Sequence, residues 1–343
     1  MKTFTIGTND ANQRFDKYLK KLLPNASVSF LYKMLRKKNI TLDGKKATGK
    51  ETLQKGAQVA VFFSDETLHK FMQDTKKLQE EFHMLQRLPM KGLSIIYEDT
   101  DILIADKPYN MLSQKAKEQD LSANEYLLGY LIRSGALSLE TFGTFRPSVC
   151  NRLDRNTTGL LLMGKTLAGA QMLSEGLRER TIHKFYRAIV SGNVTKPVHL
   201  SGWLIKDEHT NQVKILTQEQ KDAVRIETSY TSVQAKGTCS LLEICLITGK
   251  THQIRAHLAG TGHPLLGDYK YGSKKWNDRY KKEWKIEDQV LHAYQLTMPG
   301  MKKELENLSG KTFYAKVPEV FWKLIKETAW EHGTREADRK SVV

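Results

Sequence analysis

The apolar positions of this chain follow two periods, helical near the start and strand-like further on. Phe15, Tyr18, Leu19 and Leu22 share one helical face, and Pro24 ends that helix. Ser27 is placed to cap a second helix bearing Phe30, Leu31, Met34 and Leu35, with Asn39 in a left-handed conformation as its stop. The other face of that helix carries Lys33, Arg36, Lys37 and Lys38. Ile40–Asp43, before the Gly44 turn, and Gln58–Phe63, after Gly56, predict short strands. Residues 64–92 are charge-rich without an obvious apolar stripe; they leave room for some helix, but their composition predicts a mobile linker closed by Pro89 and Gly92.

From Leu93 onward strands dominate. Leu93–Tyr97 and Ile102–Ala105 flank a polar turn, and Phe185–Val190 and Leu241–Ile247 read as further strands. Thr166 can cap a helix marked by Leu167, Ala170, Leu173 and Leu177, while Ile254 and Leu258 stand four apart on a shorter one. Pro318 can open a C-terminal helix bearing Val320, Phe321, Leu324 and Ile325. Helices are interspersed without regular βαβ alternation, which predicts an α+β fold with a mostly antiparallel sheet. The length favours two domains. They are a small α/β module at 1–63 and a larger domain at 93–330, joined by the linker 64–92 and followed by a polar tail at 331–343.

Charge narrows the choice of partner. The 343-residue chain carries a net +16, and residues 1–63 alone hold 13 Lys/Arg against 4 Asp/Glu. More than half of the excess therefore lies in under a fifth of the chain. RNA, DNA and an anionic membrane surface all fit such a balance; a generic basic surface is the bland alternative. The cations of the second helix form a ridge that can follow phosphates, although a basic hairpin that only packs on the larger domain has the same pattern. No apolar run reaches the roughly 18 residues of a membrane span, and the first residues lack a secretory apolar core. Cys150, Cys239 and Cys245 show no paired spacing, which predicts reduced thiols in a cytoplasmic protein, with neither disulfides nor zinc.

Three separated segments carry candidate chemistry. In Asn151–Arg152–Leu153–Asp154–Arg155–Asn156–Thr157–Thr158–Gly159 a carboxylate stands between two arginines, ahead of an apolar run. A carboxylate between cations is held charged and oriented, as a nucleophile requires; a structural aspartate in a favourable turn sequence fits equally well. In Lys184–Gly192, alternation sets Tyr186 opposite Phe185, where a flat ring can stack on a base. A half-buried strand tyrosine is the plainer reading. In Gly249–Leu258, Arg255 projects beside the face of Ile254 and Leu258, as any surface arginine of a helix would. Gly249–Lys250–Thr251 does not end a phosphate loop, because Ile244 stands where that loop needs glycine. His252, His257 and His263 lack metal-site spacing and Cys or Glu company, so no metal is expected.

The three motifs, in this order, resemble those of the RluA-type pseudouridine synthases. The matching runs are Arg152–Leu153–Asp154 with Thr157–Thr158–Gly159–Leu160–Leu161, Lys184-x-Tyr186-x-Ala188-x-Val190-x-Gly192, and Gly249-x-x-His252–Gln253–Ile254–Arg255. Residues 1–63 are similar to the RNA-binding domain first known in ribosomal protein S-four. The likeness rests on Arg14-x-Asp16-x-x-Leu19, Ser29-x-x-x-x-Met34-x-Arg36 and the Asp43–Gly44 turn, and it points to the RluC and RluD branch. The chain departs from the family at Asn151, where histidine is usual, at Thr158, where serine is usual, and near Asn110 and Gln114, where glycine and histidine are common.

The resemblance implies the pseudouridine synthase fold and an enzyme that isomerises uridine in RNA without a cofactor. It implies Asp154 as nucleophile, Tyr186 against the target base and available to take its C5 proton, and Arg255 paired with Asp154. Arg152 would displace or hold the target nucleotide, and Ile254 and Leu258 would wall the pocket. Arg14, Lys33, Arg36, Lys37 and Lys38 would contact RNA. Lys274–Lys282, which interleaves cations and aromatics, reads as an inserted loop that faces RNA or is merely exposed. The implied substrate is large-subunit ribosomal RNA, free or in an assembling subunit, with transfer RNA second and a monomer as the default state. A non-catalytic RNA-binding assembly protein would have no need of Asp154, Tyr186 and Arg255 together. A glycoside hydrolase would need a second carboxylate motif, and none stands out.

Overall fold

The computed structural model describes residues 1–72, 74–207, 210–236, 238–301 and 303–327, without the side chains of 236, 303–305, 322 and 325–327. The expected tail 331–343 and the Ile325 side chain lie outside the described residues. The N-terminal unit runs β1 (Lys2–Thr5), α1 (Phe15–Leu22), α2 (Val28–Arg36), β2 (Ile40–Leu42), β3 (Lys45–Lys46) and β4 (Gln58–Val61). Its strands pair antiparallel in the order β1-β4-β2-β3. Phe15, Leu19, Leu31 and Leu35 from the helices join Ile40, Val59 and Val61 from the strands in one small core. Ser27 caps α2 by accepting the Phe30 N–H at 3.2 Å. The stop falls one residue early: Lys38, not Asn39, is left-handed at φ 59°. The Lys38 and Asn39 N–H groups then return to Leu35 and Met34 carbonyls, closing the helix end. Asp43 and Gly44 both take positive φ, as the two-residue hairpin turn between β2 and β3 requires.

The stretch 64–92 is helical rather than a stripeless linker. Ser64 and Asp74 cap α3 (Asp65–Phe71) and α4 (Thr75–Gln86). Leu68 and Phe71 extend the N-terminal core. Leu78, Phe82 and Leu85, spaced i, i+4, i+7 among the charges, pack instead on the larger core. There α4 crosses α5 (Ala123–Arg133) so closely that a Cβ on Gly129 would lie 2.3 Å from the Leu85 carbonyl oxygen. Beyond it, α6 (Leu139–Thr144) leads to Arg146, which grips Glu81 of α4 at 2.7 and 2.9 Å.

The larger unit also contains β5 (Ser94–Glu98), β6 (Ile102–Lys107), β7 (Ser148–Val149), β8 (Thr158–Gly164), α7 (Leu167–Arg178), β9 (His183–Ser191), β10 (Val198–Asp207), β11 (Gln212–Leu216), β12 (Val224–Lys236), β13 (Cys239–Leu246), α8 (Gln253–Gly260), α9 (Lys274–Trp284), β14 (Leu291–Thr297), β15 (Thr312–Tyr314) and α10 (Glu319–Glu327). An 11-stranded sheet runs β11-β10-β12-β13-β9-β14-β8-β6-β5, with β15 on β14 and β7 on β8. Its pairs are antiparallel apart from β8 with β14. At that parallel pair Gly159 faces Ala293, which in turn faces Tyr186. A Cβ on Gly159, whose φ is 112°, would lie 2.1 Å from the Ala293 carbonyl oxygen, so the sheet centre closes only around glycine. Alternation along β8 sends Leu161 and Met163 to one core and Leu160 and Leu162 to the other.

Lys274–Lys282 is part of α9, not a loop. Ser273 caps it, and Trp276, Tyr280 and Trp284 recur at helical spacing on the face that packs with Ile286, Val290 and Phe321. The interleaving of aromatics and cations is thus the period of an amphipathic helix, with the cations on the solvent side. No helix among the described residues is long and apolar enough to cross a membrane.

Candidate active site

A cleft of about 820 Å³ opens over the sheet centre, walled by the loop before β8, by β9, by the turn into α8 and by the approach to β14. Asp154 lies in the first of these loops, which is held by side chains rather than by regular structure. Asn151 continues the strand pairing, its amide donating to Leu160 O at 3.1 Å and accepting the Leu162 N–H at 2.7 Å. Ser113 Oγ accepts the Leu153 N–H and donates to Leu153 O, both at 2.9 Å. Lys107, fully buried, donates to the carbonyls of Pro108, Met111 and Arg155 at 3.0, 2.9 and 3.0 Å. Burial pushes its ammonium down to about 7, opposed by the charges of Asp154 and Asp106. Asn110 beside it takes φ 55°, so the asparagine supplies the left-handed turn for which glycine is usual.

The cation that meets Asp154 comes from α8. Arg255 Nη1 donates to Asp154 Oδ2 at 3.1 Å, while Nε and Nη2 grip Asp268 at 2.7 and 2.9 Å. Asp268 is itself held by the Lys270 and Tyr271 N–H groups. Burial disfavours the guanidinium charge, but the two carboxylates more than offset that and raise its pKa. The adjacent Arg152 and Arg155 are exposed on the cleft rim and make no ion pair with Asp154 among the described residues. The sandwiching of the carboxylate by its sequence neighbours is therefore corrected: both arginines turn to solvent at the cleft rim, and the pairing is long-range.

Every residue of the run into α8 has a separate task. Gln253 accepts from Thr248 Oγ1 and the Lys250 N–H and donates to Glu227 O and Thr228 Oγ1, which fastens the turn to β12. Ile254 lines the cleft. Leu258, expected to wall it as well, is fully buried one turn deeper in the core and does not reach the cleft. His257 turns to Thr228 and His263 to Ser191 O, so the three histidines diverge. His252 lines the cleft with Nε2 at 3.9 Å from Asp154 Oδ2. Tyr186 also lines it; burial, and then the Asp154 charge, raises its phenol pKa and keeps it neutral.

On the N-terminal unit Lys33, Arg36, Lys37 and Lys38 are all exposed along the end of α2. Arg14 is exposed too, but Asp16 holds its guanidinium at 2.6 and 3.2 Å, so its charge is answered within the unit. His252 in the cleft, and Lys107, Asp268 and Tyr271 behind its walls, are residues to which the sequence alone assigns no role. Their types, a cation at Lys107 and an anion at Asp268, both buried, were the available signal.

The profile of a family described as RNA pseudouridylate synthase matches residues 101–260, which include Lys107, Asp154, Tyr186 and Arg255. A ribosomal large subunit pseudouridine synthase D of Zymomonas mobilis is 31% identical over 238 residues, covering 68% of this chain and 72% of that protein. A ribosomal large subunit pseudouridine synthase C of Vibrio cholerae is 28% identical over 304 residues, covering 88% and 90%. An RNA pseudouridine synthase of Mycoplasma capricolum, described as uncharacterized, is 27% identical over 315 residues, covering 91% and 96%. In fold, human RNA Pseudouridylate Synthase Domain Containing 4 superposes with a TM-score of 0.55 over 73% of this chain and 97% of its own, at 22% identity.

Proposed function

This chain belongs to the RNA pseudouridine synthase family, in the branch of the C and D enzymes, and on that premise we propose that it isomerises uridines of large-subunit ribosomal RNA with Asp154 as the nucleophile. The C1′–N1 bond of the nucleotide breaks, the uracil turns, and C1′ bonds to C5. The C5 proton leaves and N1 gains one, so atoms and electrons balance without a cofactor. Arg255 holds Asp154 Oδ2 and leaves Oδ1 to approach C1′, as the carboxylate of a retaining glycosidase does. Tyr186 offers its ring to the uracil. Burial and the Asp154 charge raise its phenol pKa, and its hydroxyl and the freed Asp154 carboxylate are the groups at hand for the C5 proton.

The target base must leave its stack at a cost of a few kcal/mol. Exposed Arg152 and Arg155 at the cleft and the α2 cations supply attraction for the backbone that offsets this. The reading carries with it a cytoplasmic monomer acting on RNA. One observation carries it above all: a buried arginine, clamped by Asp268, turns its remaining donor to an aspartate in a cleft that Tyr186 also lines. The test is tritium release from C5-labelled uridine in ribosomal RNA lacking pseudouridine. Wild type should release label and Asp154→Asn should not, while both bind the RNA. Binding without release by either would leave an RNA-binding assembly protein.

A further inference from the structure

His252 is held more firmly than a spare cleft residue needs to be. It takes φ 54°, a left-handed conformation that few residues other than glycine adopt, immediately before α8. Its ring meets Tyr271 edge-on at 5.6 Å, with Nδ1 at 2.9 Å from the Tyr271 hydroxyl. That hydroxyl already accepts the Val213 N–H at 2.9 Å, so its own proton points to His252 Nδ1. The imidazole proton then resides on Nε2, which faces the cleft. Burial lowers the imidazole pKa against the pull of Asp154, so the ring stays neutral beside the nucleophile. At 3.9 Å from Asp154 Oδ2, Nε2 is too far to hydrogen-bond the carboxylate and makes no other hydrogen bond among the described residues.

We propose that this Nε2–H recognises the 2′-hydroxyl of the target ribose. The inference rests on the synthase reading above. A nucleophilic oxygen must come within about 3–3.5 Å of C1′, and the 2′-hydroxyl is borne on the next carbon, which brings it within reach of a donor beside the Asp154 carboxylate. The uracil turns during the reaction while the ribose stays on Asp154. A donor locked by two neighbours suits the part that does not move. The contact would also distinguish RNA from DNA at the reacting nucleotide.

The test compares two ribosomal RNA fragments that differ only at the uridine located by tritium release, one with uridine and one with 2′-deoxyuridine. Affinities are measured in the Asp154→Asn protein so that neither turns over. The uridine form should bind about three- to tenfold more tightly, the range of one neutral hydrogen bond. His252→Asn tolerates the left-handed backbone and keeps an atom near Nδ1 but has none at Nε2; it should abolish the preference. His252→Gln places an amide near Nε2 and should restore it. A preference that survives in His252→Asn, or none in the parent protein, overturns the assignment; the former would direct the donor to the uracil O2. Failure of wild type to release tritium from any RNA is a separate result and would remove both readings.

Discussion

Arg255 divides its donors between two carboxylates, and that division requires a planar fork. Two donors are committed to Asp268 and one is left for Asp154, a geometry that a lysine ammonium cannot reproduce. Arg255→Lys and Asp268→Asn should each lower the single-turnover rate by about 10²-fold, as small misplacements of a reacting group do. RNA affinity in a filter-binding assay should change little, because neither residue lies on the basic surfaces. Equal losses of affinity and rate would instead make the pair part of RNA binding. The residue types of this site were readable from the motifs, and the resemblance implied the Arg255–Asp154 pair, but not the clamp by Asp268. Arg255 is 101 residues from Asp154, whereas the arginines beside Asp154 in the chain do not touch it.

Among the elements, the parallel contact of β8 with β14 is the join on which the cleft depends. It sets the Asp154 loop next to Tyr186 across Ala293. Gly159→Ala should therefore cost on the order of 3 kcal/mol through overpacking and backbone strain, measured by urea unfolding. An unchanged midpoint would show that β14 can shift without loss. The helices α4 and α9 teach the reverse lesson about reading patterns. Both carry their apolar residues at helical spacing, but dense charges hide the stripe in α4, and in α9 they resemble a nucleic-acid platform until Tyr280 and Trp276 are seen packed. The strands β10, β11 and β12 extend the sheet from β13, pairing with it and with one another.

For the whole molecule, charge and burial act separately. The +9 of residues 1–63 includes the exposed Lys33, Arg36, Lys37 and Lys38. Changing these four to alanine should flatten the dependence of RNA affinity on salt by about 0.7 in log–log slope for each phosphate that the helix no longer neutralises. The turnover rate at saturating RNA should stay unchanged; an unaltered slope would take α2 out of the interface. Stability should depend on pH through two buried histidines. Burial lowers His257 from the ordinary 6.5 to about 4 and His292 to about 3. In that window the unfolded histidines bind protons that the folded ones do not, so their contribution to stability is full above about 6.5 and declines as pH falls. Urea midpoints between pH 6.5 and 4 should fall, and His257→Asn or His292→Asn should lessen the slope.

Local periodicity was enough to place α1, α2, α7 and most central strands, because those elements bury one face at a regular interval and that interval is written in adjacent residues. Candidate chemistry was local as well, since the residue types at Asp154 and along the cations of α2 stand in adjacent positions, although each pattern alone admits a structural use. The pairing of Arg255 with Asp154 was implied by the family motifs, but the clamp by Asp268, the tyrosine that locks His252 and the retreat of Leu258 into the core were decided by tertiary structure alone. Each depends on which distant segments the sheet brings together, and a meeting of that kind leaves no spacing in the chain to read.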